Sequence, residues 1–254
     1  MYIKKSMIFN KNSFKFFDCG QDNKSPIILD ECKTPEDNST FRRVINTYHS
    51  YVKYKDSPTR RIYWLVYENI SGNLVGAVGL ASAVIAVSAR DDFIGWSNET
   101  KMKNLGMVAN NQRFCLIRNN FTIKNVGSIT LKQLRVLGAK RWFEKYGEKL
   151  ILLETFVQTE RAEELNGYKT RNGSIYLSDN WINVGFTKGV SIRKAPTLMW
   201  KKESGERGRL ARENPQIAWE KYGYGNKSYV VEKTLPKMIF LKPLVFNWKK
   251  ILNS

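Results

Sequence analysis

The chain has 254 residues, 42% of them hydrophobic and 13% aromatic, enough to bury a core as one large domain or one and a half, and this excludes disorder as the default. Lys and Arg number 42 against 23 Asp and Glu, and the formal net charge of +19 opposes compaction and favours polyanions, nucleic acid first and an anionic membrane next. His49 is the single histidine, which excludes mechanisms that need two, such as His-Asn-His nucleases and zincins. The three cysteines, Cys19, Cys32 and Cys115, are too widely spaced for a disulfide framework or a zinc site, so a reduced, cytoplasmic compartment is expected.

The opening MYIKKSMIFNKNSFKFF is basic but lacks the continuous apolar core and cleavage site of a signal peptide. No stretch reaches the roughly 18 apolar residues of a membrane span, so no membrane association is expected. PEDNST (35–40) reads as a helix start, and FRRVINTYHSYV (41–52) continues it with helical apolar spacing. After the punctuation of SPTRR (57–61), the aromatic and β-branched IYWLVYE (62–68), the turn SGN (71–73) and LVGAVGLASAVIAV (74–87) predict a strand hairpin. The segment 90–117 is expected to run from an acidic turn through a helical patch near Glu99–Val108 into a strand at Arg113–Ile117, with Asn110-Asn111 also readable as a turn.

A long helix is predicted from Gly127 to Gly147, with Ser128 as its cap and Gly147 as a left-handed stop. LILLETFV (150–157) is uninterrupted enough to be a strand covered on both faces. GSIYL (173–177) reads as a short strand or turn, NWINVGF (180–186) as a helical turn, 192–216 as a basic linker, and KMIFLKPLVFNWKKIL (237–252) as a strand and a short helix. The expected fold is α/β (α+β), with one mixed central sheet flanked by helices. The expected division is a helical or extended segment over 1–56, a core over 57–190, and a basic extension over 191–254 that packs back on the core.

Three stretches carry candidate chemistry. Glu154 lies inside the apolar run, and a buried carboxylate needs a partner or a raised pKa. An arginine such as Arg113 or Arg135 could pair with it structurally, or it could stand at the carboxyl end of a central strand and act as a base. GWSNETKMKNLGMVANNQRF (95–114) supplies Trp96, Asn104, Asn110, Asn111 and Arg113, amide and guanidinium groups suited to base edges and phosphates. The cluster Tyr176, Asp179, Asn180 and Trp181 could relay a proton or stack on a base, or could be ordinary helix capping. No glycine-rich phosphate loop is present, and Gly127-Ser128 offers only the free amides common to helix starts.

The ordered set RDDFIGWS, NLGMVANNQRF, NVGSITLKQL, YGEKLILLETFV, GSIYLSDNWINVGFTKG and KMIFLKPL resembles the family typified by the Druantia anti-phage protein A, over roughly residues 60–190 and the end of the chain. In layout it is also similar, more distantly, to the phage Mom DNA-modification proteins, which implies an acetyltransferase-like fold, with VGF (184–186) where that fold keeps a Gly-Phe pair. The chain departs from the family pattern at Gln158, where an Asp usually follows LETFV, and at Ser178-Asp179-Asn180-Trp181, where Ala-Ala-Asn-Trp is usual. RNNFTIKNVGS (118–128) lacks the turn with which acetyltransferases grip the coenzyme A pyrophosphate, so that cofactor is not expected and the cofactor is left open.

The resemblance and the charge together imply a DNA-acting protein of an anti-phage or mobile-element system, with other defence or transposition proteins as partners. Arg60, Arg61, Lys188, Arg193 and Lys194 would hold phosphates; Asn110, Asn111, Arg113 and Trp181 would read bases; Trp96, Asn104, Ser128 and Asn180 complete the contacting set. As an enzyme, a transferase or strand-processing protein, it would use Glu154 as base, Tyr176 as proton relay and Arg113 as charge stabiliser. Its rivals are a non-catalytic module that recruits a nuclease, helicase or transposase, and a metal-dependent nuclease built on Glu154, Asp91, Asp92 and Asp179.

Overall fold

A computed structural model describes residues 25–49, 54, 59–158, 172–194, 204–214, 217, 221, 222, 229–233 and 236–254. The chain divides into two compact units, one made of residues 1–186 with 237–254 and the other of residues 187–236.

The larger unit begins with β1 (Ile27–Glu31) and α1 (Pro35–Tyr48). Thr34 caps α1 by accepting from the Asp37 amide, and Asp37 accepts in return from the Thr34 amide, with Pro35 in the first turn, so the PEDNST signal starts the helix as expected. The hairpin follows as β2 (Arg61–Glu68) and β3 (Leu74–Ser82). The acidic turn expected at 90–92 is instead inside α2 (Ser88–Ile94), and α3 (Asn98–Asn104) runs through a 3₁₀ turn into β4 (Val108–Leu116). Thus Asn110 and Asn111 are strand residues rather than looped out, Asn110 paired with both β3 and β5 and Asn111 with β3.

The long helix is α4 (Val126–Tyr146), ended by Gly147 at φ 71 as the sequence suggests, but its N-cap is Asn125, not Ser128, and no side chain caps it. Next come β5 (Leu152–Gln158), α5 (Ser174–Ser178) and β6 (Ile182–Phe186). The strand and helix expected at 173–186 are therefore exchanged. Five residues are too few for periodicity to tell the two apart, and β6 is a strand because it pairs with the returning chain at Ile182–Leu241 and Asn183–Phe240.

The smaller unit holds β7 (Val190–Lys194), α6 (Glu206–Glu213) and β8 (Tyr229–Lys233), with β7 and β8 antiparallel, so the expected basic linker contains regular structure; its stretch 195–203 lies outside the described residues. The chain returns to the larger unit as β9 (Lys237–Pro243) and α7 (Trp248–Leu252).

One mixed seven-stranded sheet, ordered β1-β2-β3-β4-β5-β9-β6, organises the larger unit. β1 pairs with β2 along its whole length, so the N-terminal stretch contributes the sheet edge. Every pairing is antiparallel except β4 with β5, which α4 connects. One face packs Trp64, Val78, Leu80, Leu131, Leu134, Trp142, Leu153 and Phe240 between the sheet and α4. The other face carries two separate clusters. Phe41, Ile45, Tyr63 and Leu65 lie under α1, while Ile94, Trp96, Val108, Leu152, Leu241 and Leu252 lie under α2, α3 and α7. Among the described residues no helix is long and apolar enough to cross a membrane.

Candidate nucleic-acid site

A row of residues crosses the two-cluster face of the sheet. Arg61 is opposite Ala81, Ala81 opposite Asn110, Asn110 opposite Glu154, and Glu154 opposite Leu241, so polar side chains from β2, β4 and β5 share the seam between the two apolar clusters. Glu154 is 0% exposed and its partner is Arg90, also 0% exposed, at 2.6 Å, which replaces the expected Arg113 or Arg135. Its second oxygen accepts the Val84 amide at 2.8 Å.

Arg90 uses its five N–H groups completely. Nη1 donates to Glu154 and to the Val84 carbonyl, Nη2 to Asp91 and the Ile85 carbonyl, and Nε to Asp91. The pair thereby staples the 83–90 loop to the sheet. Burial raises the Glu154 carboxyl above its usual range, against the pull of Arg90 and the Val84 amide. Glu154 is the third residue of a seven-residue strand rather than its carboxyl end, and both of its oxygens are engaged.

Beyond this row the parallel pair parts. β4 and β5 are in register only over Val108–Asn110 and Leu152–Glu154. A bulge at Gln112 follows, because β3 partners shift from Leu80–Asn111 to Gly79–Arg113. The polar run on β4 then leaves side-chain atoms buried with no partner among the described residues: Asn110 Oδ1, both amide atoms of Asn111, Gln112 Oε1 and Arg113 Nε. Asn110 and Asn111 are only 6% and 3% exposed, and each such orphaned group costs about 1–3 kcal/mol when no ligand or water meets it.

At the same end of the sheet, buried Gln158 closes β5 opposite Lys237, the first residue of β9. Burial first, and then the neighbouring Arg113, hold the Lys237 ammonium below the ordinary lysine value. Two cations are thus gathered outside the carboxyl ends of the parallel pair, where open sheets keep their ligand crevice. Lys237 and Arg90 open the stretches KMIFLKPL and RDDFIGWS but were not legible as site residues, since their roles exist only through the β5–β9 pairing and the fold of the 83–90 loop over β5.

Tyr176 is on the opposite face from Glu154. Thr155, the next residue of β5, donates to the Tyr176 hydroxyl at 3.4 Å, and successive strand side chains point opposite ways. The sheet therefore separates the expected base from the expected proton relay. Tyr176 is buried among Phe240, Trp181 and Phe114. Trp181 is buried too, its indole N–H donating to Asp179 at 2.9 Å, and Asp179 also accepts from Arg135 at 2.5 Å. Lys242 donates to the Asp179 and Asn180 carbonyls, and Asn180 is exposed at φ 55, so this cluster fastens the α5–β6 turn to α4.

Trp96 is in the core beneath α2, with the Arg90 guanidinium 5.7 Å from its ring, and Asn104 is buried, donating to the Leu252 carbonyl. Arg60 is exposed and paired with Glu148 at 2.6 Å. Lys188 is exposed in the smaller unit, and Arg193 and Lys194 lie on β7. Asp179 and Glu154 are on opposite faces, and among the described residues no three His, Cys, Asp or Glu side chains gather closely enough to hold a metal ion.

The loop before α4 is occupied from within. Buried Glu68 accepts from the Ser71 hydroxyl, from the amide and hydroxyl of Thr122 at 2.9 and 2.8 Å, and from the Ile123 amide at 3.1 Å, which bring its carboxyl down to about 2. A Cβ at Gly127 would be 2.1 Å from Ile175 Cδ1, so α5 packs against the first turn of α4 beside half-buried Ser128.

A family profile described as Druantia protein DruA matches residues 9–253. No curated protein sequence matches the chain. Among solved structures it is similar to the "putative acetyltransferase" of Sphaerobacter thermophilus DSM 20745, at 8% identity, 85% coverage of this chain and 93% of that one, with a TM-score of 0.37.

Proposed function

We propose, from the premise that this chain belongs to the Druantia protein DruA family and so to an anti-phage defence context, that it binds DNA and grips it where β4 and β5 diverge. The observation that carries this reading is the run Asn110–Arg113, whose buried donors and acceptors lack partners among the described residues, on a chain of net charge +19. Arg113 Nε and Lys237 can donate to a phosphate oxygen, while the acceptors Asn110 Oδ1 and Gln112 Oε1 call for donors such as the amino groups of base edges, so a nucleic acid supplies both kinds of partner. The exposed cations would supply the salt-dependent part of the affinity.

Glu154 serves this reading as a positioning residue. With both oxygens taken by Arg90 and Val84, it holds the 83–90 loop rather than a substrate proton. The chain would then deliver its activity by holding DNA for other proteins of the defence system.

Fluorescence anisotropy of labelled single- and double-stranded DNA with the full chain tests this. Arg113→Gln should weaken binding by roughly tenfold or more, the equivalent of about 1–3 kcal/mol, with the unfolding transition unchanged. Wild-type protein that fails to bind either form at low salt would refute the reading. Nucleosides from cells with and without the protein should be identical by mass spectrometry. A new modified nucleoside would bring the transferase reading forward instead.

A further inference from the structure

We infer that the tip of the 83–90 loop, Val84-Ile85-Ala86, is an apolar wedge that enters DNA between neighbouring bases and opens their stack beside the Asn110–Arg113 run, an inference that rests on the DNA-binding reading. The three residues are consecutive and all exposed, Val84 at 41% and Ile85 at 60%. Apolar residues exposed in a row are unfavourable in water and invite association, so a folded chain keeps them where they have a task. The core is within reach of this loop, because Val87, one position after the tip, is 5% exposed in the cluster under α2.

What holds the tip out is the buried ion pair. The Val84 amide donates to Glu154 at 2.8 Å, while Arg90 donates from Nη1 to the Val84 carbonyl at 2.6 Å and from Nη2 to the Ile85 carbonyl at 3.3 Å. Each of these bonds is to the backbone, so the course of the loop is fixed and the two side chains stay in solvent. Burying two ions is an expensive way to shape a surface loop, since both give up their hydration. A wedge needs that rigidity, because a tip ordered in advance loses little conformational freedom on entering a stack.

The tip stands at the polar row. Ala81, three positions before Val84, is the β3 partner of Asn110, and Glu154, which the Val84 amide meets, is the β5 partner of Asn110. A base displaced at the tip would meet the unpartnered Asn110 Oδ1 and, further along β4, Gln112 Oε1 and Arg113 Nε. Asn110 is 6% exposed on the fourth strand of a seven-stranded sheet, where the groove of an intact duplex cannot bring a base edge but a single unstacked base can.

The charges around the tip fit this role. Residues 74–89 carry none, Glu154 is matched by Arg90, and Asp91 by Arg90 and Lys101; Asp92, exposed on α2, lies beyond the loop. An apolar tip by itself would fit a protein partner equally well. Its place beside unpartnered polar groups, on a chain of net charge +19, favours DNA, in which apolar side chains open base steps.

The test uses the full chain, the variant Val84→Ser/Ile85→Ser, and Ile70→Ser as a control at a position 88% exposed between β2 and β3. All three positions are exposed, so each variant should keep the wild-type unfolding transition. Affinity is read by anisotropy at fixed salt, and stacking by a fluorescent adenine analogue, placed within a duplex, that brightens when unstacked. Wild type and Ile70→Ser should raise that fluorescence on binding. Val84→Ser/Ile85→Ser should lose most of the rise and bind the intact duplex about tenfold more weakly, yet bind a duplex with a mismatched pair, whose stack is already loosened, within about twofold of wild type. Val84→Leu/Ile85→Leu should behave as wild type. Wild type that binds the duplex without brightening the analogue, or a serine variant indistinguishable from Ile70→Ser, overturns the wedge and leaves the DNA reading intact. Equal losses on intact and mismatched duplexes also overturn it, since the tip would then add contact without opening the stack. Wild type that binds no DNA removes the DNA reading and the wedge with it.

Discussion

Glu154 and Arg90 show what a buried charge demands of its surroundings. Neither touches solvent, so removing one strands the other, and Arg90→Ala should destabilise the larger unit by roughly 3–5 kcal/mol in urea unfolding. Glu154→Gln should cost clearly less, because its amide oxygen can still accept the Val84 N–H and Arg90 keeps Asp91. Equal losses would mean that the staple on the 83–90 loop is not what the pair provides. Glu68 makes a second prediction at this scale. Its carboxyl is lowered from 4.5 to about 2, chiefly by the Ser71 hydroxyl and then by Thr122, so the ionised form is favoured in the folded chain. Its stabilising contribution is full above pH 4.5 and is lost as pH falls from there through about 2. Glu68→Gln should flatten that acid limb, which chemical denaturation at a series of pH values would reveal.

At the level of elements, β4 is the informative one. It pairs with β3 along most of its length but with β5 only over its first three residues, and the Gln112 bulge turns Arg113 to the face that carries Asn110 and Glu154. The short helix α5 fills the other side of the divergence with Tyr176 and begins at Gly173, whose φ is 70 and where a Cβ would be 2.4 Å from the Phe240 ring. Gly173→Ala should therefore cost on the order of 1–3 kcal/mol and disturb the Tyr176–Phe240–Trp181 packing. A lowered melting temperature with altered near-ultraviolet circular dichroism is the expected result, and an unchanged spectrum would mean that α5 is not locked by that contact.

For the whole molecule the charge is the governing quantity. An excess of 19 positive charges predicts that DNA affinity falls steeply with salt, by at least about tenfold between roughly 50 and 200 mM. A titration that stayed flat across that range would remove the polyanion partner altogether. Membership of the DruA family supplies the defence context, and charge together with the unsatisfied β4 groups supplies the reason for choosing DNA within it.

Periodicity, capping and turn chemistry made α1, the β2–β3 hairpin, α4 with its Gly147 stop, and β5 legible in the sequence, because these signals act over a few neighbouring residues. The need for a partner at Glu154 was equally legible, since the cost of burying a carboxylate is independent of topology. Its identity was not, because Arg90 reaches Glu154 across 64 positions of chain only once the 83–90 loop has folded over β5. The helix and strand at 174–186 exchanged places for the same reason: β6 exists through pairing with β9, a strand that arrives some fifty positions later. Tertiary structure also decided that Glu154 and Tyr176 stand on opposite faces, and that Val84 and Ile85 are held in solvent beside Asn110. Local sequence sets which residues are helical or extended, but only the sheet order and the alternation of its faces determine which side chains share a site.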